Sequence, residues 1–450
     1  MTKAKKRNIF IIVIILILII VISTVVVYLN SETYFNKNLG KPSTYLEVKF
    51  DTLPQNQSHG SLYRTDDGLL VLDMNGTEAE MGYSHGYLLG NQIKYTVEYA
   101  LTISESLSVY NDMHDNVLPK YLLMNEFCYC NEIQAIMQGA IDSGANLYVE
   151  SLKRNWDIMD LWMINTVQDW YQLACSGIGV WGEASTNGKT FIGRNLDFFL
   201  DRHGYVTQLY TIMIFRGNST QGDDFRNDIV SFSFPGIISV ISGFNSKGVW
   251  MHVDSSNGDM TGKIERTGIC LSIRRFLEKE DGVDIDTRSQ EFFLQQNIAN
   301  SVLVMVGSNN KLLESPVFVL EVRDSVVGYR GETNKEDDFV IMTNHERVNQ
   351  EKVEGTRYPT LIKDFNEYKT TDDLKIDADE LLLSQSHCGH CGTINAIQFY
   401  PEDLSFRVGY SKVNTISYGK KWSHNDIELS FEDAYNRDWI TWDNLKNHIN

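Results

Sequence analysis

Cys175, Arg194 and Asp197 are the residues of this chain whose types and spacing could do chemistry together. Between Cys175 and Asp197 lie two apolar-rich runs on either side of Asn187-Gly188, a dipeptide that favours a tight hairpin turn. Folded there, the stretch sets a thiol at the start of one strand beside an arginine and a carboxylate near the end of its partner. A nearby cation lowers a thiol's pKa, so the trio could supply a nucleophilic thiolate. By itself, a cysteine at a strand start is more often a small buried hydrophobe. The run Gly193-Arg194-Asn195-Leu196-Asp197 is what sets this one apart.

The elements that must hold these residues follow from periodicity. Residues 30–68 are polar and aperiodic and read as a tether. From Glu78 to about Trp170 the spacing is helical: Ile103, Leu107 and Tyr110 recur on one face, as do Ile133, Ile136 and Ile141. From Cys175 to about Tyr329 strand patterns take over, at Phe191-Ile192, Val206 to Phe215, Ile229 to Ser242, Val249 to Val253 and Val317 to Val322. A helix is expected between them over Gly268 to Glu278. Asp338 to Thr343 and Ile394 to Tyr410 read as further strands. The pattern alone gives an α+β class.

The N-terminus sets an expected compartment. Ile9 to Leu29 is an apolar run of 21 residues interrupted only by Ser23 and Thr24, long enough to cross a bilayer. Lys3, Lys5, Lys6 and Arg7 precede it and Glu32 is the first charge after it. The positive-inside bias puts residues 1–8 in the cytoplasm and the rest outside, as a single-pass membrane protein. A cleaved signal peptide would have a shorter core and small residues at its end, whereas this run closes on Val-Val-Val-Tyr-Leu-Asn. An uncleaved signal anchor over 9–29 is the expectation. The formal charge is −19, and the part beyond the anchor is more acidic still, which argues against nucleic acid or an anionic membrane surface as a partner. Sequons stand at Asn56, Asn75 and Asn218.

Six cysteines stand at 128, 130, 175, 270, 388 and 391. An extracytoplasmic site permits disulfides, and with Cys175 kept free at most two can form. His387-Cys388-Gly389-His390-Cys391 crowds four possible ligands into five residues, too tight to surround one tetrahedral ion. A disulfide, unbonded structural thiols and a metal all remain open there; no metal is assigned.

A cysteine followed about twenty residues later by Gly-Arg-Asn-Leu-Asp resembles the N-terminal-nucleophile hydrolases of the choloylglycine hydrolase and acid ceramidase superfamily. The closest likeness is to the acyl-CoA:6-aminopenicillanic acid (isopenicillin N) acyltransferase family, peptidase family C45. Met81-Gly-Tyr-Ser-His-Gly-Tyr-Leu-Leu-Gly90 and Gly139-Ala-Ile-Asp-Ser-Gly144 resemble its segments before the nucleophile. Phe234-Pro-Gly236, Gly243-Phe-Asn-Ser-Lys-Gly248 and Met342-Thr-Asn-His345 resemble its later elements. Most of residues 70 to 410 is covered.

The resemblance implies a four-layer αββα sandwich with no cofactor. It implies scission of the Ala174–Cys175 bond, giving an α-chain of residues 69–174 that stays bound to a catalytic β-chain of 175–450. The new α-amino group, with a reference pKa of about 8, would act as general base. Cys175 would attack a small-molecule amide and form an acyl-enzyme open to water or to another amine. Asp197 would hold the amine, Arg194 would stabilise the thiolate or orient substrate, Asn344 would serve the oxyanion, and Arg357 resembles the family's later arginine.

One departure stands out. Where the family commonly presents an asparagine at the oxyanion, counting from Gly248 places Asp254, with Asn257 three residues on. Either Asn257 serves, Asp254 is protonated, or the site does something else. His85 and His345 read as structural, since this chemistry needs no histidine base. A papain-like protease would need a Cys–His pair, and strands surround Cys175 instead. The reading carried forward is an autoprocessed cysteine amidohydrolase anchored in a membrane; its alternative is an inactive surface scaffold of the same fold, which Asp254 favours.

Overall fold

The computed structural model describes residues 46–410 and 439–442, except 51, 67, 105, 125–128, 171–173, 198–203, 218–225, 257–266, 297, 299, 324–325, 333–336, 349–355, 369, 371–374 and 389–392. The anchor expected over 9–29 lies outside the described residues. Among those described, no helix is long and apolar enough to cross a membrane.

Two large sheets form the centre. One runs in the order β1 (Gln55–Gln57), β2 (Gly60–Arg64), β3 (Leu70–Asn75), β8 (Thr211–Arg216), β9 (Ile229–Ser233), β10 (Ser242–Asn245), β11 (Trp250–Ser255), β12 (Val302–Gly307), β13 (Val317–Arg323) and β14 (Val326–Arg330). The other runs β15 (Phe339–Thr343), β6 (Ala174–Val180), β7 (Phe191–Asp197), β16 (Thr393–Tyr400), β17 (Ser405–Tyr410) and β18 (Ile440–Thr441). A small hairpin, β4 (Tyr148–Val149) with β5 (Arg154–Asn155), stands apart. Neighbouring strands pair antiparallel except β3 with β8, which are parallel.

The sheets meet face to face, and small residues let them. A Cβ on Gly179 would lie 2.4 Å from Val317, and one on Gly307 would lie 2.2 Å from Ile192, so these glycines admit opposing side chains. The far side of the six-stranded sheet packs Ile178, Val180, Phe191, Phe339 and Ile341 against α6 (Arg357–Tyr368) and α7 (Ala378–Cys388). The outer face of the ten-stranded sheet carries α1 (Glu78–Ile103), α2 (Cys130–Asp142), α3 (Ile158–Asn165), α4 (Ile269–Lys279) and α5 (Ile285–Gln296). The layers therefore run helix, sheet, sheet, helix.

Local sequence explains the helices that matter most. Thr77 caps α1 in a reciprocal box with Glu80, which satisfies the first orphan amides. Gly82, Gly86 and Gly90 recur every four residues on α1, and Gly139 answers from α2. A Cβ on Gly86 would sit 1.9 Å from the Ile136 carbonyl, and one on Gly139 would sit 2.1 Å from the Tyr83 carbonyl. The two backbones touch there, so no side chain fits.

Most of the expected elements are present: a hairpin of β6 and β7, joined by residues 181–190 where a tight turn at Asn187-Gly188 was expected, the early helices, the helix over Ile269–Lys279 and the strands at Phe339–Thr343, Thr393–Tyr400 and Ser405–Tyr410. Three expectations are corrected. The supposed tether contains β1 and β2, where a run of polar residues forms a sheet edge and shows no apolar alternation. Val206 to Phe215 begins as a short helix, Tyr205–Leu209, before β8. Ile229 to Ser242 breaks after Ser233, because Phe234-Pro235-Gly236 turns the chain, with Gly236 at φ +86.

Gly139→Ala is expected to lower unfolding stability by about 2 kcal/mol or more in urea. An unchanged midpoint would mean the two helices can separate without cost.

Candidate active site

Strand alternation builds the site. Cys175 and Leu196 are register partners, as are Gly177 and Arg194, so these four share the face turned toward the other sheet. Opposite them, β11 presents Trp250, His252 and Asp254 at every second position. Gly177 makes room for this row, since a Cβ there would lie 2.5 Å from His252 Nε2. The thiol thus lies in a layer with no solvent exposure, together with Arg194, His252 and Asp254.

The side facing α6 and α7 holds the rest. Cys175 donates its amide N–H to Asn344 Oδ1 at 3.0 Å. Arg357, at the start of α6, donates to the Cys175 carbonyl at 2.6 Å, to Asn344 Oδ1 at 2.5 Å and to Asp197 Oδ2 at 3.3 Å. Asp197 Oδ1 accepts from the Thr393 hydroxyl at 2.6 Å. Asn344 in turn donates to the Ser255 carbonyl at 2.6 Å, which ties this side to the end of β11. Both backbone polar groups of Cys175 are held by side chains that lie far along the chain.

The electrostatics of the buried layer are decided by desolvation. Arg194 Nη2 stands 3.6 Å from Cys175 Sγ and donates to the Val253 carbonyl at 3.3 Å; its Nε and Nη1 have no partner. Burial pushes the Cys175 thiol up to about 12, outweighing the pull of Arg194, while Asp254 and Asp197 push the same way. Burial also raises the Asp254 carboxyl to about 7, against Arg194 and Arg357. Neither Asp254 oxygen makes a hydrogen bond of good geometry, although the carboxyl and the thiol are close enough for each to move the other's proton affinity. His252 is held neutral by burial. Its Nδ1 accepts from Trp250 Nε1 at 2.8 Å, which leaves the proton on Nε2, 4.0 Å from Asp254 Oδ1.

Next to Leu196, on the thiol's side of the sheet, lies a small apolar pocket. Leu196, the register partner of Cys175, forms part of its wall with Ile394, Phe234, Ile237 and Ile241, while Ala100 and Ile164 close it from α1 and α3. The turn at Phe234–Ile241 is fixed by groups that precede Cys175 in the chain. Gly236 donates its N–H to His85 Nε2 at 2.8 Å, and Asn165 bonds the Gly236 carbonyl and the Ile238 and Ser239 amides. Burial pushes His85 down to about 3, so it accepts as a neutral ring and is structural, as expected.

The fold therefore brings together Cys175, Arg194, Asp197, Asn344, Arg357 and Asp254. Ala174 precedes the thiol within β6, and Asn257 lies outside the described residues. Asp254 lies on β11 in the buried layer that holds the thiol. Sequence reasoning missed His252 and Thr393; the alternation Trp250, His252, Asp254 was the signal for the first, and nothing local marked the second.

Possible metal ligands gather at one group among the described residues, His114, Asp157 and Asp160. Their oxygens are already engaged, since Arg154 and Tyr110 bind Asp160 and Asp157 caps α3. In the expected cysteine cluster, His387 pairs with Asp364, and Cys388 is a free thiol against Ser176 and Asn195. Cys130 is disulfide-bonded.

No protein-family model matches the chain. Protein dcd1B of Dictyostelium discoideum is 24% identical over 231 residues, 48% of this chain and 41% of that protein, so the match spans less than half of its length. Among solved structures, the N-acylethanolamine-hydrolyzing acid amidase ortholog of Caenorhabditis elegans is 16% identical, over 50% of this chain and 93% of that one, with a TM-score of 0.40. A mutant conjugated bile acid hydrolase from Clostridium perfringens is 11% identical, over 55% and 95%, at 0.36. Penicillin V acylase from Agrobacterium tumefaciens is 12% identical, over 55% and 89%, at 0.33.

The Asp254 carboxyl keeps its proton in the folded chain up to about pH 7 but would lose it near 4 when unfolded. The folded state then holds the extra proton between those values, so this group's contribution to stability falls as pH rises through them. In a Cys175→Ala background, Asp254→Asn is expected to gain stability relative to its parent by about 3 kcal/mol more at pH 8 than at pH 5. Parallel unfolding curves at the two pH values would show that the carboxyl is not buried as described.

Proposed function

We propose that the chain is a self-processing amidohydrolase that uses Cys175 as an N-terminal nucleophile on linear, non-peptide amides. The observation that carries this is the convergence on one buried cysteine: Asn344 and Arg357 bind its backbone, and Arg194 lies at its sulfur. An ordinary core cysteine needs none of these. Scission before Cys175 would turn the N–H now held by Asn344 into an α-amine, of pKa about 8 in its ordinary state, next to the thiol. That amine takes the thiol proton, the sulfur attacks the substrate carbonyl, and the leaving amine departs with the proton. Water, or a second amine acting as acyl acceptor, then releases the acyl group.

The wholly apolar pocket next to Leu196 supports an aliphatic acyl group on the substrate. Its walls come from both sides of the scission point, so the two pieces must stay together to bind substrate. They have strong reason to do so. Strands β1 to β3 belong to the same sheet as β8, and Arg274 of α4 is buried between Glu132 of α2 and Glu278. With residues 9–29 as the anchor, the catalytic part would work outside the cytoplasm against amides of the envelope or of lipids. The competing reading, an inactive scaffold, draws on the full burial of a thiol raised to about 12. Exposure of Cys175 on scission is what separates the two.

N-terminal sequencing of purified residues 31–450 is expected to show a new terminus at Cys175, absent from the Cys175→Ala variant, with both pieces co-eluting under native conditions. An intact wild-type chain favours the scaffold. For the pocket, Ala100→Phe is expected to cut kcat/KM at least about tenfold on long-chain N-acyl amides while sparing N-acetyl amides. Equal losses on both would place the acyl group elsewhere.

A further inference from the structure

The proposed scission has a difficulty that the mature chemistry does not. The α-amine that serves as base in the finished enzyme is still an amide in the uncleaved chain, donating to Asn344 Oδ1 and unable to accept a proton. The Cys175 thiol must therefore lose its proton to some other group, inside a layer with no access to water.

The neighbours can be taken in turn. Arg194, on β7, has only donors. Asp197, also on β7, has one oxygen on Thr393 and the other on Arg357 of α6. His252, on β11, spends its acceptor nitrogen on Trp250. Asp254 remains: fully buried, facing the thiol across the sheets, with both oxygens unpartnered. A buried carboxyl without partners is costly and uncommon in a native core.

We infer that Asp254 is the proton acceptor for Cys175 in the self-cleavage step, an inference that rests on the scission proposed above. The carboxylate takes the thiol proton, and the sulfur adds to the Ala174 carbonyl. Asp254, now neutral, faces the resulting oxyanion as a donor where an ionised carboxylate would repel it. Its proton then passes to the Cys175 nitrogen as the C–N bond breaks, giving a thioester and a free amine. The broken peptide bond frees the Ala174 end to move, and water entering by that opening hydrolyses the thioester, which restores the thiol and leaves the Ala174 carboxylate. The His252 Nε2–H, 4.0 Å from Oδ1, is poised to steady the ionised form. The departure from asparagine at this position thus serves the first reaction of the chain's life.

The test follows cleavage of freshly refolded residues 31–450 over pH 5 to 9, with hydroxylamine added to trap thioester. Asp254→Asn is expected to slow cleavage about 100-fold or more, to accumulate no hydroxylamine-sensitive species and to lose the wild-type rise of rate with pH, while Asp254→Glu recovers part of the rate. Cleavage of Asp254→Asn at the wild-type rate, or a thioester that accumulates in it, overturns the inference and leaves the scission standing. A wild-type chain that never cleaves overturns both. Should Asp254→Asn fail to fold, the wild-type profile decides, and a rate independent of pH over that range overturns the inference.

Discussion

A guanidinium, a carboxyl and a thiol share one dry layer between two sheets, and the rest of the molecule is arranged around that constraint. Charge in such a place is tolerable only if groups of opposite sign or open protonation state sit together. Cys175 and Asp254 are the groups whose protonation burial moves. The layer is thin because glycine stands at 177, 179 and 307, and each glycine faces a bulky partner in the other sheet. Shape and electrostatics are settled by the same few positions.

The division of labour across β6 and β7 follows from this. Their inward side carries the Cys175 thiol with Arg194; their outward side carries Asp197 and Asn195, which bond to Thr393, Arg357 and Gln385. A sheet has only two faces, and here one holds the thiol while the other holds the groups that brace it. The apolar pocket adds a third requirement, met by a turn between β9 and β10 that His85 and Asn165 clamp from the preceding helical segment.

Much of this was legible in the sequence. The hairpin was visible because Asn187-Gly188 is a strong local signal, and alternation then fixed which residues share a face. The resemblance placed Asn344 and Arg357, which no local pattern would have joined to Cys175. What stayed hidden depends on tertiary context. The strands β1 and β2 are too polar to announce themselves. Pro235-Gly236 broke a run that composition read as continuous. Thr393 matters only because β16 lies beside β7, a pairing that no spacing encodes. His252 joins the site only because Gly177, on the facing sheet, leaves room for it.

The groups that grip the Cys175 backbone arrive late. Asn344 follows it by 169 residues and Arg357 by 182. A ribosome that has just released Cys175 has made neither, and the thiol then lacks the arrangement that could make it react. The two-piece chain would therefore carry a record: each molecule with a free terminus at Cys175 has, at some moment, been whole and correctly folded. Counting cut molecules against uncut ones would read out folding yield in the cell without any added probe.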